Sequence, residues 1–321
     1  MFRSTFFRVL FGSAILAAAP ASAAAGLRVV TTITDFAQIA REVGGDLVET
    51  TAFCRSTQDP HFVDARPSFV VDLSNADLLI YAGAELEVGW LPPLIRAANN
   101  GRILPGQVGH LNVSTVVPIK EVPPGTVDRS SGDIHPLGNP HTWLDPRNGL
   151  RIAIAITGRL KALDPDHAET YEANLRDFAR RLGEKMNRWQ EMLAPHRGAR
   201  VIVYHKSWIY FLEWAGMVEV AAIEPIPGIP PADSDVTALI ESHRNGGVAL
   251  VVGESFYPSD RITFVAEALG VPGLRLPPMS GGSQHGTYID VLDHNVRRIV
   301  EALDSRRRGA APQAPPGGEG R

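Results

Sequence analysis

Residues 164–195 read DPDHAETYEANLRDFARRLGEKMNRWQEMLAP, and their pattern decides the architecture. Tyr171, Leu175, Phe178, Leu182, Met186, Trp189 and Leu193 recur at spacings of three and four, the period of an amphipathic helix. Asp164-Pro165 starts the helix and Pro195 stops it. At 1.5 Å per residue, a helix over 166–193 spans roughly 40 Å. That is long enough to run along two domains as a rigid strut, so the domains should move little relative to each other.

On both sides of this helix, short apolar runs alternate with helical patterns, the signature of parallel α/β architecture. Before it, strands are expected at Leu27–Thr32, Val48–Phe53, Leu78–Ala82 and Leu111–Val116. Helices are expected over Asp35–Val43 and Pro67–Asn75, with Asp35 and Ser68 as candidate caps. After it, strands are expected at Arg200–Tyr204, Val218–Ile223, Val248–Val252 and Gly273–Leu276. The fold class is therefore α/β, with two parallel-sheet lobes joined by a long rigid α-helix. The expected division is a signal peptide over 1–23, an N-terminal lobe over 24–147 and a connecting helical segment over 148–198. A C-terminal lobe over 199–304 and a disordered tail over 305–321, rich in Arg, Gly, Pro and Ala, complete it.

Arg3 and Arg8, the apolar run Val9–Leu16 and the small residues Ala21-Ser22-Ala23 make a secretory signal pattern, with a mature chain expected near Ala24. The apolar core is shorter than the roughly 20 residues a membrane-spanning helix needs. The single cysteine, Cys54, cannot form an internal disulfide, and its place after a strand-like run predicts burial. A net charge of −4 argues against nucleic acid or an anionic membrane as partner.

Three histidines stand at element edges: His61 in Asp59-Pro60-His61, His141 in Asn139-Pro140-His141-Thr142-Trp143-Leu144-Asp145-Pro146, and His205 after Val201-Ile202-Val203-Tyr204. None shares a helix with another at metal-binding spacing, so a shared site requires the tertiary fold to assemble it. The prolines before His61 and His141 stiffen the local backbone. His110, His167, His196, His243 and His294 lie in helical or loop contexts and read as exposed. Gly281-Gly282-Ser283-Gln284-His285-Gly286 lacks the spacing of a nucleotide fingerprint and reads as a turn or hinge.

These segments together resemble the cluster A-I periplasmic solute-binding proteins of metal ABC transporters. The resemblance runs from Thr31-Thr32-Ile33-Thr34-Asp35 through Asp59-Pro60-His61, Pro140–Pro146 and the long helix to Tyr204–Phe211. It implies one metal held in the cleft between the lobes, with His61 and His141 from the first lobe and His205 from the second. Zinc-type members carry histidine at the third ligand position, and imidazole-rich sites suit zinc over manganese. The expected cargo is Zn2+, captured in the periplasm and delivered to an inner-membrane ABC permease dimer, with the carrier a monomer and a periplasmic metallochaperone a possible donor.

The chain departs from its relatives at the fourth ligand, where they carry an aspartate after the last strand and this sequence reads Leu276-Pro277-Pro278-Met279-Ser280. Glu224, Glu254, His285 and water are the candidates. Relatives often place a His- and acid-rich insertion in the loop that here spans Pro123–Asn139. This one holds Asp128, Asp133 and His135 and reads as an ordinary surface loop, with an auxiliary metal role for His135 the lesser reading. The expected activity is binding, not catalysis. An exported zinc hydrolase and a manganese- or iron-carrying binding protein are the alternatives, and no His-Glu-x-x-His helix supports the first.

Overall fold

A computed structural model describes residues 26–125, 135–281 and 286–310, with side chains to Arg308. The expected signal peptide, most of the expected tail, Asp128, Asp133 and His285 lie outside the described residues.

The first sheet contains β1 (Leu27–Thr31), β2 (Val48–Ala52), β3 (Leu78–Tyr81) and β4 (His110–Asn112), in the order β2-β1-β3-β4 and all parallel. Helices α1 (Thr34–Gly44), α2 (Pro67–Asn75) and α3 (Leu91–Ala98) connect its strands. The second sheet contains β5 (Arg200–Val203), β6 (Val218–Ala222), β7 (Val248–Glu254) and β8 (Gly273–Leu276). Its order, β6-β5-β7-β8, repeats the first plan, again parallel throughout. Helices α6 (Ile209–Ala215), α7 (Asp233–His243) and α8 (Ser259–Leu269) connect these strands. The central runs Leu78–Ile80 and Val201–Val203 are buried on both faces, which is why they read as continuous apolar segments.

Between the sheets stand α4 (Pro146–Leu163) and the 26-residue α5 (Ala168–Leu193), flanked by single 3₁₀ turns at Pro165–His167 and Ala194–His196. Tyr171, Phe178, Leu182, Trp189 and Leu193 are fully buried, so the periodic stripe faces the core as expected. The first half of α5 packs on the first lobe, with Asn174 Nδ2 donating to the Val43 carbonyl at 3.1 Å and Arg181 bonding Glu42 at 2.6 Å. The second half packs against α9 (Tyr288–Ala310), where Trp189 Nε1 and Lys185 Nζ donate to Asp293 Oδ1 at 2.8 and 3.0 Å.

Several expectations are corrected. Asp35 caps nothing: the first residue of α1 follows Ile33, and the buried Asp35 carboxylate accepts from the Ser280 backbone N–H, 245 residues away, at 3.2 Å. Ser68 likewise gives α2 no side-chain cap. The fourth strand ends at Asn112, because the Asn112 side chain accepts from Ser114 N at 3.1 Å and turns the chain into a 3₁₀ segment. Residues 305–310, expected in the tail, continue α9, with Arg306 Nη1 donating to the Val248 carbonyl at 2.6 Å. His196 is buried with Nε2 3.0 Å from Asp304, and the half-buried His110 bonds the Tyr81 hydroxyl and the Ile103 carbonyl. Cys54 is buried, as its position predicted.

Candidate metal centre

In open parallel sheets the loops beyond the strands' carboxyl ends converge at the point where strand order reverses. His61 lies in the loop after β2, and His205 is the second residue beyond β5. His141 precedes the 3₁₀ turn Thr142–Leu144 that leads into α4. The fold brings all three together: each offers a ring nitrogen, and these atoms lie within 4.8 Å of one another. The rings form a near-equilateral triangle, with centroids 5.2 Å apart for His61–His141 and His61–His205 and 5.3 Å for His141–His205.

Each ring is oriented by an oxygen acceptor at its other nitrogen. Asp59 Oδ1 lies 2.7 Å from His61 Nδ1, Asn139 Oδ1 lies 3.0 Å from His141 Nδ1, and Glu224 Oε2 lies 2.8 Å from His205 Nδ1. An acceptor at Nδ1 draws the ring proton there and leaves the Nε2 lone pair for a cation, the usual arrangement behind metal-ligating imidazoles. These three acceptors were not foreseen in the sequence. Two of them had a signal, since Asp59-Pro60-His61 and Asn139-Pro140-His141 share one Asx-Pro-His pattern.

The supports extend outward. Trp90 Nε1 donates to the Pro60 carbonyl at 3.1 Å, and the Tyr210 hydroxyl donates to the Asn139 carbonyl at 2.7 Å. From the second lobe, the Tyr257 hydroxyl reaches Asp59 Oδ2 at 3.3 Å while its ring stacks on Tyr204 with centroids 4.3 Å apart. Beside the triad a cavity of about 220 Å³ is lined by Glu121, His135, Asn139, His141, His205, Lys206, Pro225 and Pro227.

Burial, together with the neighbouring His61 and His205, holds the His141 imidazole well below the usual histidine range. The same causes, burial first, take His135 down to about 3. Both rings are thus neutral near pH 7, the state in which an imidazole can bind a metal. Asp59 is pushed up by burial, but its bonds to His61 outweigh this and leave it below the ordinary aspartate value. Burial, then the Asp59 and Glu224 charges, drives Glu254 well above the carboxylate range.

Of the residues considered for a fourth ligand, Glu224 is engaged in orienting His205, and Glu254 Oε1 accepts a hydrogen bond from the Ser207 hydroxyl. His135, expected in an ordinary surface loop, stands instead at the triad, its Nε2 3.2 Å from His61 Nε2. The Leu276–Ser280 segment is packed structurally, with the Pro277 carbonyl accepting from Asn295 Nδ2 at 2.8 Å and the Pro278 carbonyl from Trp143 Nε1 at 2.9 Å.

Comparison with known proteins shows the family and the fold. Residues 29–302 match the family described as zinc-uptake complex component A, periplasmic. The chain is 28% identical over 315 residues to the high-affinity zinc uptake system protein ZnuA of Yersinia pestis, covering 92% of this chain and 97% of that protein. It is 26% identical over 310 residues to the manganese ABC transporter substrate-binding lipoprotein PsaA of Streptococcus mitis, covering 92% and 97%. Among solved structures, a zinc-bound ZnuA deletion mutant shares the fold with a TM-score of 0.71 at 24% identity, over 87% of this chain and 98% of that one. The solute-binding protein FpvC of Pseudomonas aeruginosa in complex with Mn2+ does so with a TM-score of 0.73 at 21% identity, over 88% and 99%. The family is one of transport, which sets aside the hydrolase reading. The chain belongs to the zinc-uptake complex component A periplasmic family, and is a metal-binding solute-binding protein of an ABC importer.

Proposed function

We propose that this protein captures Zn2+ in the cleft between its lobes, holding it with Nε2 of His61, His141 and His205, and delivers it to an ABC importer. The observation that carries this reading is the triangle of imidazoles, each with Nδ1 tied to an oxygen acceptor. Three imidazole nitrogen donors favour zinc over manganese, which prefers carboxylate and other oxygen ligands. Relatives of both kinds exist, so the donor set rather than ancestry supports the choice.

In this reading residues 24–147 and 199–304 act as jaws, and 148–198, with α5, as their rigid connection. Solute-binding proteins of this family work with ABC permease and ATPase components. We take the permease dimer to dock across both lobes of a monomeric carrier, with a periplasmic metallochaperone as a further donor. Among the described residues no helix is long and apolar enough to cross a membrane. Export by residues 1–23 and residence in the periplasm complete the proposal.

The test is calorimetric titration of the metal-free mature protein with zinc and with manganese, beside the His205→Ala variant. Tight one-to-one zinc binding that collapses in the variant, with little manganese response, supports the reading. Tighter binding of manganese would replace zinc with manganese as cargo, and zinc binding indifferent to His205 would remove the site.

A further inference from the structure

We propose that His135, from the loop between β4 and α4, is the fourth ligand of this site, making it an all-imidazole centre. The inference rests on the reading that His61, His141 and His205 hold the cargo ion. His135 Nε2 lies 3.2 Å from His61 Nε2, and its ring centroid is 5.2 Å from that of His61 and 6.2 Å from that of His141. Nitrogens bound at 2.0–2.1 Å to a tetrahedral zinc stand about 3.3 to 3.4 Å from one another. The observed separation is close to that of two ligands sharing one ion.

Proton placement points the same way. His61 Nδ1 is committed to the Asp59 carboxylate, so its Nε2, which faces His135 Nε2, is the free nitrogen. A neutral imidazole has one N–H, so once that donor is spent the second nitrogen presents only a lone pair. The His61 lone pair thus faces a second imidazole nitrogen at 3.2 Å, the separation of two nitrogens that share one cation.

The Ala84 backbone beside the His135 ring belongs to an unusual stretch of chain. Gly83, Ala84 and Glu85 all have positive φ, at 75°, 47° and 69°. Left-handed conformations at the two non-glycine positions crowd Cβ against the following carbonyl and are disfavoured. The buried Glu87 carboxylate holds the start of this turn, accepting from Ala82 N at 2.8 Å, Gly83 N at 3.1 Å and the Thr32 hydroxyl at 2.7 Å. Asp59 is engaged with His61 and Glu224 with His205, while Glu254 accepts from Ser207 through Oε1 and leaves Oε2 without a hydrogen-bond partner. A four-nitrogen site also sharpens selection against manganese.

Cobalt(II) optical spectroscopy of the full mature chain tests this, with zinc affinity measured by chelator competition on the same samples. The unmodified protein should bind one cobalt with the intense visible bands of tetrahedral Co2+. His135→Gln should keep one-to-one binding, lose that intensity as water raises the coordination number, and weaken zinc at least as much as loss of an outer partner does, about 10- to 100-fold. His135→Cys should add a thiolate-to-cobalt charge-transfer band, which arises only if the side chain at 135 touches the ion. If both variants keep the unmodified spectrum and zinc affinity while His205→Gln loses binding, the three-histidine reading stands and the assignment of His135 is overturned. If His205→Gln also leaves affinity unchanged, the triad fails and the proposal fails with it.

Discussion

Asp59 Oδ1 accepts two hydrogen bonds from His61, one from the backbone N–H at 2.9 Å and one from ring Nδ1 at 2.7 Å. Asn139 Oδ1 does the same for His141, both at 3.0 Å. The intervening proline fixes the span of each turn, so one oxygen sets both the main-chain bend and the ring's orientation. Asp59→Ala should therefore weaken zinc binding by about 10- to 100-fold with the fold intact. Chelator competition measures the affinity and far-ultraviolet circular dichroism the fold; an unchanged affinity would show that the oriented ring is dispensable.

The buried Asp35 carboxylate predicts a pH effect on stability away from the metal. Burial raises it to about 7 against the lowering effect of the Ser280 hydrogen bonds. Between about pH 4 and 7 the unfolded chain ionises this group while the folded protein keeps the proton. Its contribution is thus greatest at low pH, falls as pH rises, and levels off above 7. Asp35→Asn cannot ionise, so its melting temperature relative to the unmodified protein should climb from pH 5 to pH 8. A difference that stays constant over that range would contradict the assignment.

Gly149 sits inside α4, where alanine ordinarily gains about 1 kcal/mol of helix propensity. A Cβ at this position, however, would stand 2.3 Å from the Tyr288 hydroxyl, which donates to the Trp143 carbonyl at 2.7 Å. Overpacking of this kind costs about 1–3 kcal/mol, and Tyr288 is buried with no room to retreat. Gly149→Ala should lower the urea midpoint, whereas a rise would mean that Tyr288 yields freely.

Trp189 is fully buried between the long helix and the second lobe. Trp189→Ala should cost about 3–5 kcal/mol in chemical unfolding. It would also remove one of the bonds that hold Asp293 down to about 2 against its burial. Because the metal cluster lies on other segments, zinc stoichiometry should remain one to one, as calorimetry would report.

Much of the fold was legible because its signals are local and periodic. The stripe Tyr171–Leu193 repeats at helical spacing, and the apolar, valine-rich runs Val201–Val203 and Leu250–Val252 fit strands buried on both faces. Asp35 was misleading because aspartate near a helix start ordinarily serves as a cap, while here its partner is supplied by the segment after β8. His135 looked like an unremarkable loop residue because its neighbour at the site is 74 positions away. The end of α9 was hidden by an Arg-rich composition whose carbonyl partners, at Val248 and Pro195, belong to other elements.

By itself the sequence determined two parallel α/β lobes on a rigid helix and the three histidines at their edges, since periodicity, prolines and strand ends act within a few residues. Only the tertiary structure decided that those histidines form one triangle, that Asp59, Asn139 and Glu224 turn their Nε2 atoms inward, and that His135 stands beside them. Metal geometry is a matter of ångströms between segments far apart in the chain, and only packing of the whole core fixes such distances.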